Sequence, residues 1–239
     1  LTTITIPESV EEIGQAAFFD CTGLTAIYFN AISIEGDSDF YNIFANAGID
    51  GDGLTLVFGD NVRIVPRSMF NDVNGQQDAS GLKEVVFGNS IQKIGDYAFY
   101  HCSNLKNVIF PASLREIGER AFYGCSSFTT IVLPDGVEKV GDRAFGYCVS
   151  VTDVKFPEGA DLGEGVLEGC DLIKNAVGDL KIALQLRYTV VNLTVTGEGE
   201  IEQGTFASNK NLVNLTIGDK VTSIGESAFN NCEKLESVV

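Results

Sequence analysis

The sequence predicts a β-rich α/β solenoid, on a recurring phrase and the constancy of its period. Ile-Gly-x-x-Ala-Phe-x-x-Cys stands at Ile13–Cys21, Ile94–Cys102 and Ile117–Cys125, with a variant at Val140–Cys148 and a further copy at Ile224–Cys232. Cys102, Cys125 and Cys148 set a period of 23 residues. A fixed period of this size means one coil repeated along an axis, each coil burying its apolar residues against its neighbours. The expectation is a parallel sheet on one face, with short helical or 3₁₀ turns and loops on the other.

The coil from Cys102 to Cys125 shows how each element arises. Leu105–Phe110 has the alternation and β-rich content of a strand, with Val108 and Phe110 on one face and Asn107 and Ile109 on the other. Pro111 cannot donate to a ladder and ends it. Leu114 and Ile117 turn inward, and Gly118 supplies a bend where a side chain would interfere. Glu119–Phe122 reads as one helical or 3₁₀ turn that carries Ala121 and Phe122 inward before Cys125 closes the coil. Phe18, Phe99, Phe122, Phe145 and Phe229 are expected to stack as one column.

Strand, Pro, a Val/Leu-x-x-Ile-Gly turn and then Ala-Phe-x-x-Cys-x-x-Leu resembles the BspA-type leucine-rich-repeat family, over most of the chain. The resemblance implies a curved, right-handed leucine-rich-repeat solenoid. It also implies a bacterial surface or secreted protein, some relatives being adhesins that bind host proteins. The array is expected over 1–172, with irregular coils at 30–81. There Ile43-Phe44 replaces Ala-Phe, Gly48–Gly53 lengthens a loop, Ile64-Val65-Pro66 replaces Ile-Gly, and Asn71–Ser80 is inserted. Residues 173–189, with a short helix near Leu180–Leu186, read as an insertion or sub-array junction. Repeats continue over 190–239. Both ends fall inside repeats, as in a piece of a longer chain.

Sixteen basic against 33 acidic residues give a net charge of −17. Such a chain repels phosphate backbones, so nucleic acid is not an expected partner. A protein ligand with a basic patch, bound in a salt-sensitive way, suits it better. No apolar run approaches the ~20 residues of a membrane helix. The six cysteines share one repeat position, which Ala47, Val73 and Asn209 fill in other coils, so they read as buried free thiols. Strand stacking also sets Cβ atoms about 4.8 Å apart, wider than the ~3.8 Å usual in disulfides. No two lie at zinc-ligand spacing. His101, the single histidine, reads as a solvated surface residue. No nucleophile elbow, phosphate loop or His-Glu-x-x-His is present, and no enzyme, metal or cofactor is expected. The acidic loops Glu35–Asp39 and Asp50–Gly53 lack the remaining ligands of a calcium loop. Asn192-Leu-Thr194 and Asn214-Leu-Thr216 match the glycosylation pattern by chance, both being mid-strand.

The sharpest functional signal is a row on the open face of the sheet: Thr5, Tyr28, Val57, Val86, Ile109, Val132, Lys155, Thr194, Thr216 and Val239. Tyr28 to Val132 are consecutive and apolar. The row two residues earlier is mostly polar and includes Glu84 and Asn107. An apolar stripe beside a polar one suits protein recognition, although β-branched residues also simply favour strands. The candidate ligand-binding residues are therefore Tyr28, Val57, Val86, Ile109, Val132, Glu84, Asn107 and Lys155. They suggest a non-catalytic, adhesin-like module for a protein ligand, such as a host extracellular or surface protein. One alternative is a spacer or stalk. Another is carbohydrate binding, against which stand the lack of Trp and of any sheet-row aromatic besides Tyr28.

Overall fold

The computed structural model describes residues 1–32, 34, 43–70 and 81–239. The Glu35–Asp39 loop, Val73 and the insertion after Phe70 lie outside them. The first half holds β1 (Thr3–Ile6), β2 (Ala26–Phe29), β3 (Leu54–Phe58), β4 (Ile64–Val65), β5 (Leu82–Val86), β6 (Lys93–Ile94) and β7 (Glu116–Ile117). Next come β8 (Thr130–Val132), β9 (Lys139–Val140), β10 (Asp153–Lys155), β11 (Asp161–Leu162) and β12 (Asn175–Gly178). Then follow α1 (Leu180–Gln185), β13 (Asn192–Val195), β14 (Gly199–Ile201), β15 (Asn214–Ile217), β16 (Val221–Ile224) and β17 (Ser237–Val238).

Each coil contributes to two parallel ladders. The front ladder runs β1-β2-β3-β5 and then, as a separate sheet, β8-β10-β12-β13-β15-β17. The second runs β4-β6-β7-β9-β11 without a break, with β14-β16 apart. Alternation along the front strands turns Ile27, Leu56, Ile131, Val154 and Leu193 into the core. Val65, Ile94, Ile117, Val140 and Leu162 enter the same core from the second ladder. Gly95, Gly118, Gly141 and Gly163 each donate their N–H to the preceding coil, at 2.8–2.9 Å. A Cβ on Gly118 would stand 2.6 Å from the Asp96 nitrogen, so the close approach requires glycine there.

The Ala-Phe turns differ in kind from the helical or 3₁₀ turns expected. Their backbone is left-handed at two positions per coil, for instance Tyr97 (φ 56°) and His101 (φ 54°), or Arg143 (φ 51°) and Tyr147 (φ 56°). This geometry aims alternate N–H groups at the next coil. Tyr97, Phe99 and His101 donate to the carbonyls of Glu119, Ala121 and Tyr123 at 2.7–2.8 Å. A helix would have spent those donors within its own turn.

The expected phenylalanine column is two stacks. Phe44 and Phe70 join Phe18 to Phe99, Phe122 and Phe145 with neighbouring centroids 5.1–6.2 Å apart. Leu167 follows in the next coil, and Phe206–Phe229 stack separately at 5.2 Å. Within 173–189, β12 pairs in register with β10 and β13, so the front ladder passes through this segment. Asp179 caps α1 by accepting from the N–H groups of Lys181 (3.0 Å) and Ile182 (3.2 Å), and Ile182 and Ala183 are buried.

Candidate functional site: a split in the front sheet

The segment expected as a strand at Leu105–Phe110 is not one. Lys106 still donates to the Lys83 carbonyl at 3.1 Å, but none of Asn107, Val108, Ile109 and Phe110 donates its N–H to a backbone carbonyl among the described residues. Three local features coincide there. Lys83 is an extra residue in β5, since Leu54 pairs with Leu82 but Thr55 with Glu84, and such bulges bend a strand away from its neighbour. Pro111 and Pro134 occupy the position at which Gly59 donates its N–H to Phe29 (3.0 Å), so that bond is missing on both sides, although Pro157 at the same position leaves β10 paired with β8 and β12. Asn107 then replaces the backbone: its Oδ1 accepts from the N–H groups of Thr129 (2.8 Å) and Thr130 (3.2 Å), and its Nδ2 donates to the Thr129 hydroxyl (2.8 Å).

Ile109 stands on this split, 90% exposed, as a ridge between two grooves. One, of about 690 Å³, lies towards β8 and takes in Asn107, Ile109, Val132 and Lys155. The other, of about 360 Å³, lies towards β5 with Glu84, Val86, Asn107 and Ile109. Six of the eight sequence-derived residues thus gather at the split. Tyr28 and Val57 lie farther along, registered to each other and, through Val57, to Val86. The stripe is therefore interrupted: its Ile109 is carried on unpaired backbone. Lys155 pairs with Asp135 at 3.5 Å, while Glu84 accepts from the Thr55 hydroxyl at 3.4 Å.

The remaining motifs resolve into local chemistry. The Lys83 ammonium donates to the Asp52 carbonyl, so a cation already sits at the Asp50–Gly53 loop. No group of His, Cys, Asp and Glu side chains able to hold a metal occurs among the described residues. All six cysteines are thiols rather than disulfides. Cys125, Cys148 and Cys170 each donate Sγ–H to the Phe carbonyl of the preceding coil at 3.2–3.3 Å. Burial pushes the Cys125 and Cys148 thiols well up, and Cys170 from 9.0 to about 12.

His101 is half-buried, contrary to the solvated residue expected. Its ring lies over Gly124, where a Cβ would come within 2.6 Å of Nδ1, and packs edge-on against Tyr100 and Tyr123. Tyr100, Tyr123 and Tyr147 form an outer column with centroids 5.2–5.3 Å apart.

Sequence reasoning also missed Asn175 and Val177. Asn175 joins Asp153, Asn192 and Asn214 in one outward row, and Val177 extends the stripe row between Lys155 and Thr194. The signal was there in Asn-Ala-Val-Gly, but Asn175 precedes Asn192 by 17 residues, short of the usual period.

Two parallel ladders, a phenylalanine stack and left-handed Ala-Phe turns define a β-rich leucine-rich-repeat solenoid. The family model described as BspA type leucine rich repeat region matches six copies over residues 1–74, 76–182 and 191–239, and the chain belongs to that family. A leucine rich repeat protein of T. pallidum is 25% identical, with a TM-score of 0.51 over 77% of this chain and 79% of that one. A leucine-rich repeat protein from Eubacterium ventriosum, 15% identical, shares the fold with a TM-score of 0.51 over 97% and 76% of the two chains. A leucine rich cell surface protein from Faecalibacterium prausnitzii is 20% identical, covering 100% and 69%, with a TM-score of 0.43. No curated protein matches the sequence. No helix among the described residues is long and apolar enough to cross a membrane.

Proposed function

We propose that this chain is a non-catalytic, adhesin-like protein-binding module of a secreted or surface-attached bacterial protein, and that the split is its recognition site. The exposure of Ile109 between two grooves carries this reading. A large apolar side chain held out of the core, with room on both sides, suits a partner's apolar anchor. Glu84, Asn107 and Lys155 supply a polar rim, and Tyr28 and Val57 lengthen the apolar surface along the first sheet. A preformed scaffold loses little entropy on binding. The surface location rests on the family resemblance.

The test is binding to immobilised extracellular-matrix and serum proteins, by the wild type and by an Ile109→Lys/Val86→Glu variant with an unchanged melting profile. Binding that the variant loses supports the reading. Binding that it retains moves the site elsewhere. If neither binds, the second ladder, continuous from β4 to β11, favours a stiff spacer, for which deleting a coil would matter and altering the split would not.

A further inference from the structure

The front sheet carries a second polar feature, away from the split. Asp153, Asn175, Asn192 and Asn214 lie in register on consecutive strands, and their side chains form a hydrogen-bonded row. The amide of Asn175 donates to the Asp153 carboxylate at 2.5 Å, Asn192 to Asn175 at 2.6 Å, and Asn214 to Asn192 at 2.7 Å. Chemistry fixes this direction. A carboxylate only accepts, so Asn175 must turn its NH₂ towards Asp153 and its oxygen towards Asn192, and the constraint passes down the row. The second Asp153 oxygen accepts from the Thr152 hydroxyl at 2.5 Å, which leaves the carboxylate well satisfied.

Asn175 and Asn192 each spend one N–H and one carbonyl lone pair on the row, so each keeps a second donor and a second acceptor. Similar rungs therefore repeat at the strand spacing of about 4.8 Å. Beside them, a groove of about 300 Å³ is flanked by the apolar Val132 and Val177 and the hydroxyls of Thr194 and Thr216.

The ligand class follows from what this row fits. An extended peptide repeats its edge groups every two residues, about 6.7 Å, out of step with the rungs. A polyanion would meet Asp153 and a chain of net charge −17. The groove's own formal charges, Lys155 and Asp153, cancel. We infer that the amide row binds an uncharged, linear polyhydroxylated chain, a neutral glycan, whose hydroxyls act as both donors and acceptors at successive rungs while its C–H faces rest on Val132 and Val177. This groove adjoins the split, sharing Val132 and Lys155 with it, but its amide row lies apart from Glu84, Asn107 and Ile109. It also uses amides where no aromatic ring among the described residues lines the groove.

The experiment titrates ¹⁵N-labelled protein with uncharged hexasaccharides of β-1,4-linked glucose, mannose or N-acetylglucosamine, following the side-chain NH₂ resonances. At least one probe is expected to shift the Asn175, Asn192 and Asn214 side-chain amides and leave the backbone N–H of Ile109, read in the same spectra, unmoved. Asn192→Ala should weaken that binding tenfold or more, and Asn214→Ala, at the outer end of the row, serves if Asn192→Ala misfolds. The inference is overturned if no probe moves these amides, if the shifts centre on Ile109, or if folded variants bind as wild type does.

Discussion

Within the coil 103–118, the second ladder runs on while the front ladder lapses. Glu116–Ile117 pairs with Lys93–Ile94 before it and Lys139–Val140 after it. A few residues earlier, Asn107–Phe110 pairs with neither β5 nor β8. The second ladder closes on glycine, whose N–H donates and whose missing Cβ lets adjacent coils approach. The front ladder closes on a position that Pro111 and Pro134 occupy, where no N–H exists. Across this coil continuity thus resides in the second ladder and the phenylalanine stack, whereas between β11 and β14 the front ladder alone carries it.

The strongest way to break this contrast is to attack the stack. Phe122 is fully buried, 5.1 Å from Phe99 and 5.4 Å from Phe145. Phe122→Ala should cost about 3–5 kcal/mol, read from the urea midpoint at constant m-value. Gly118→Ala comes next: its methyl would crowd the Asp96 backbone nitrogen, and such overpacking costs about 1–3 kcal/mol. A loss below about 0.5 kcal/mol, the range of an ordinary surface change, would mean the second ladder does not carry continuity. Ile109→Lys, by contrast, should stay within that surface range, since Ile109 contributes little to the core.

The buried thiols test the same core through pH. Cys170 has a folded value of about 12 against an ordinary 9.0. Above pH 9 the unfolded chain therefore loses a proton that the folded chain keeps. The contribution is intact below pH 9 and declines as pH rises towards 12. Denaturation curves of wild type and Cys170→Ala should converge over that window. At neutral pH a thiol reagent should leave Cys125 and Cys148 untouched until the protein unfolds, whereupon all six cysteines react.

The coil was legible because its signals are local. Gly118, Ala121, Phe122 and Cys125 announce a close approach, a small inward residue, a stacking ring and a buried thiol in fixed order. The split was not legible, because Leu105–Phe110 has a sound strand pattern and fails only through its neighbours. The features that coincide there are a bulge at Lys83 and Pro134, one coil away on either side. The amide row was half legible: Asn192 and Asn214 were placed mid-strand. Asn175 was lost because α1 shortens its coil and shifts the period. His101 was misread because the space its ring occupies is created by Gly124 in the next coil, which spacing along the chain does not reveal.

The subtlest test asks what holds the split open. In the neighbouring coil Thr152 donates its N–H to the Thr129 carbonyl at 2.9 Å. The corresponding acceptor for Thr129 is the carbonyl of Lys106, but the Asn107 side chain takes that N–H instead. Asn107→Val removes the competing oxygen and installs a strand-favouring side chain, leaving Lys106 as the natural acceptor. In wild type, the amide protons of Val108, Ile109 and Phe110 should exchange faster than those of Gly95, Gly118 and Gly141. In the variant they should slow by up to tenfold, about 1.4 kcal/mol of added local protection. Unchanged exchange would assign the split to the bulge and the two prolines. Slow exchange in the wild type itself would mean the front ladder is closed in solution, and Ile109 would be one more residue of a continuous sheet.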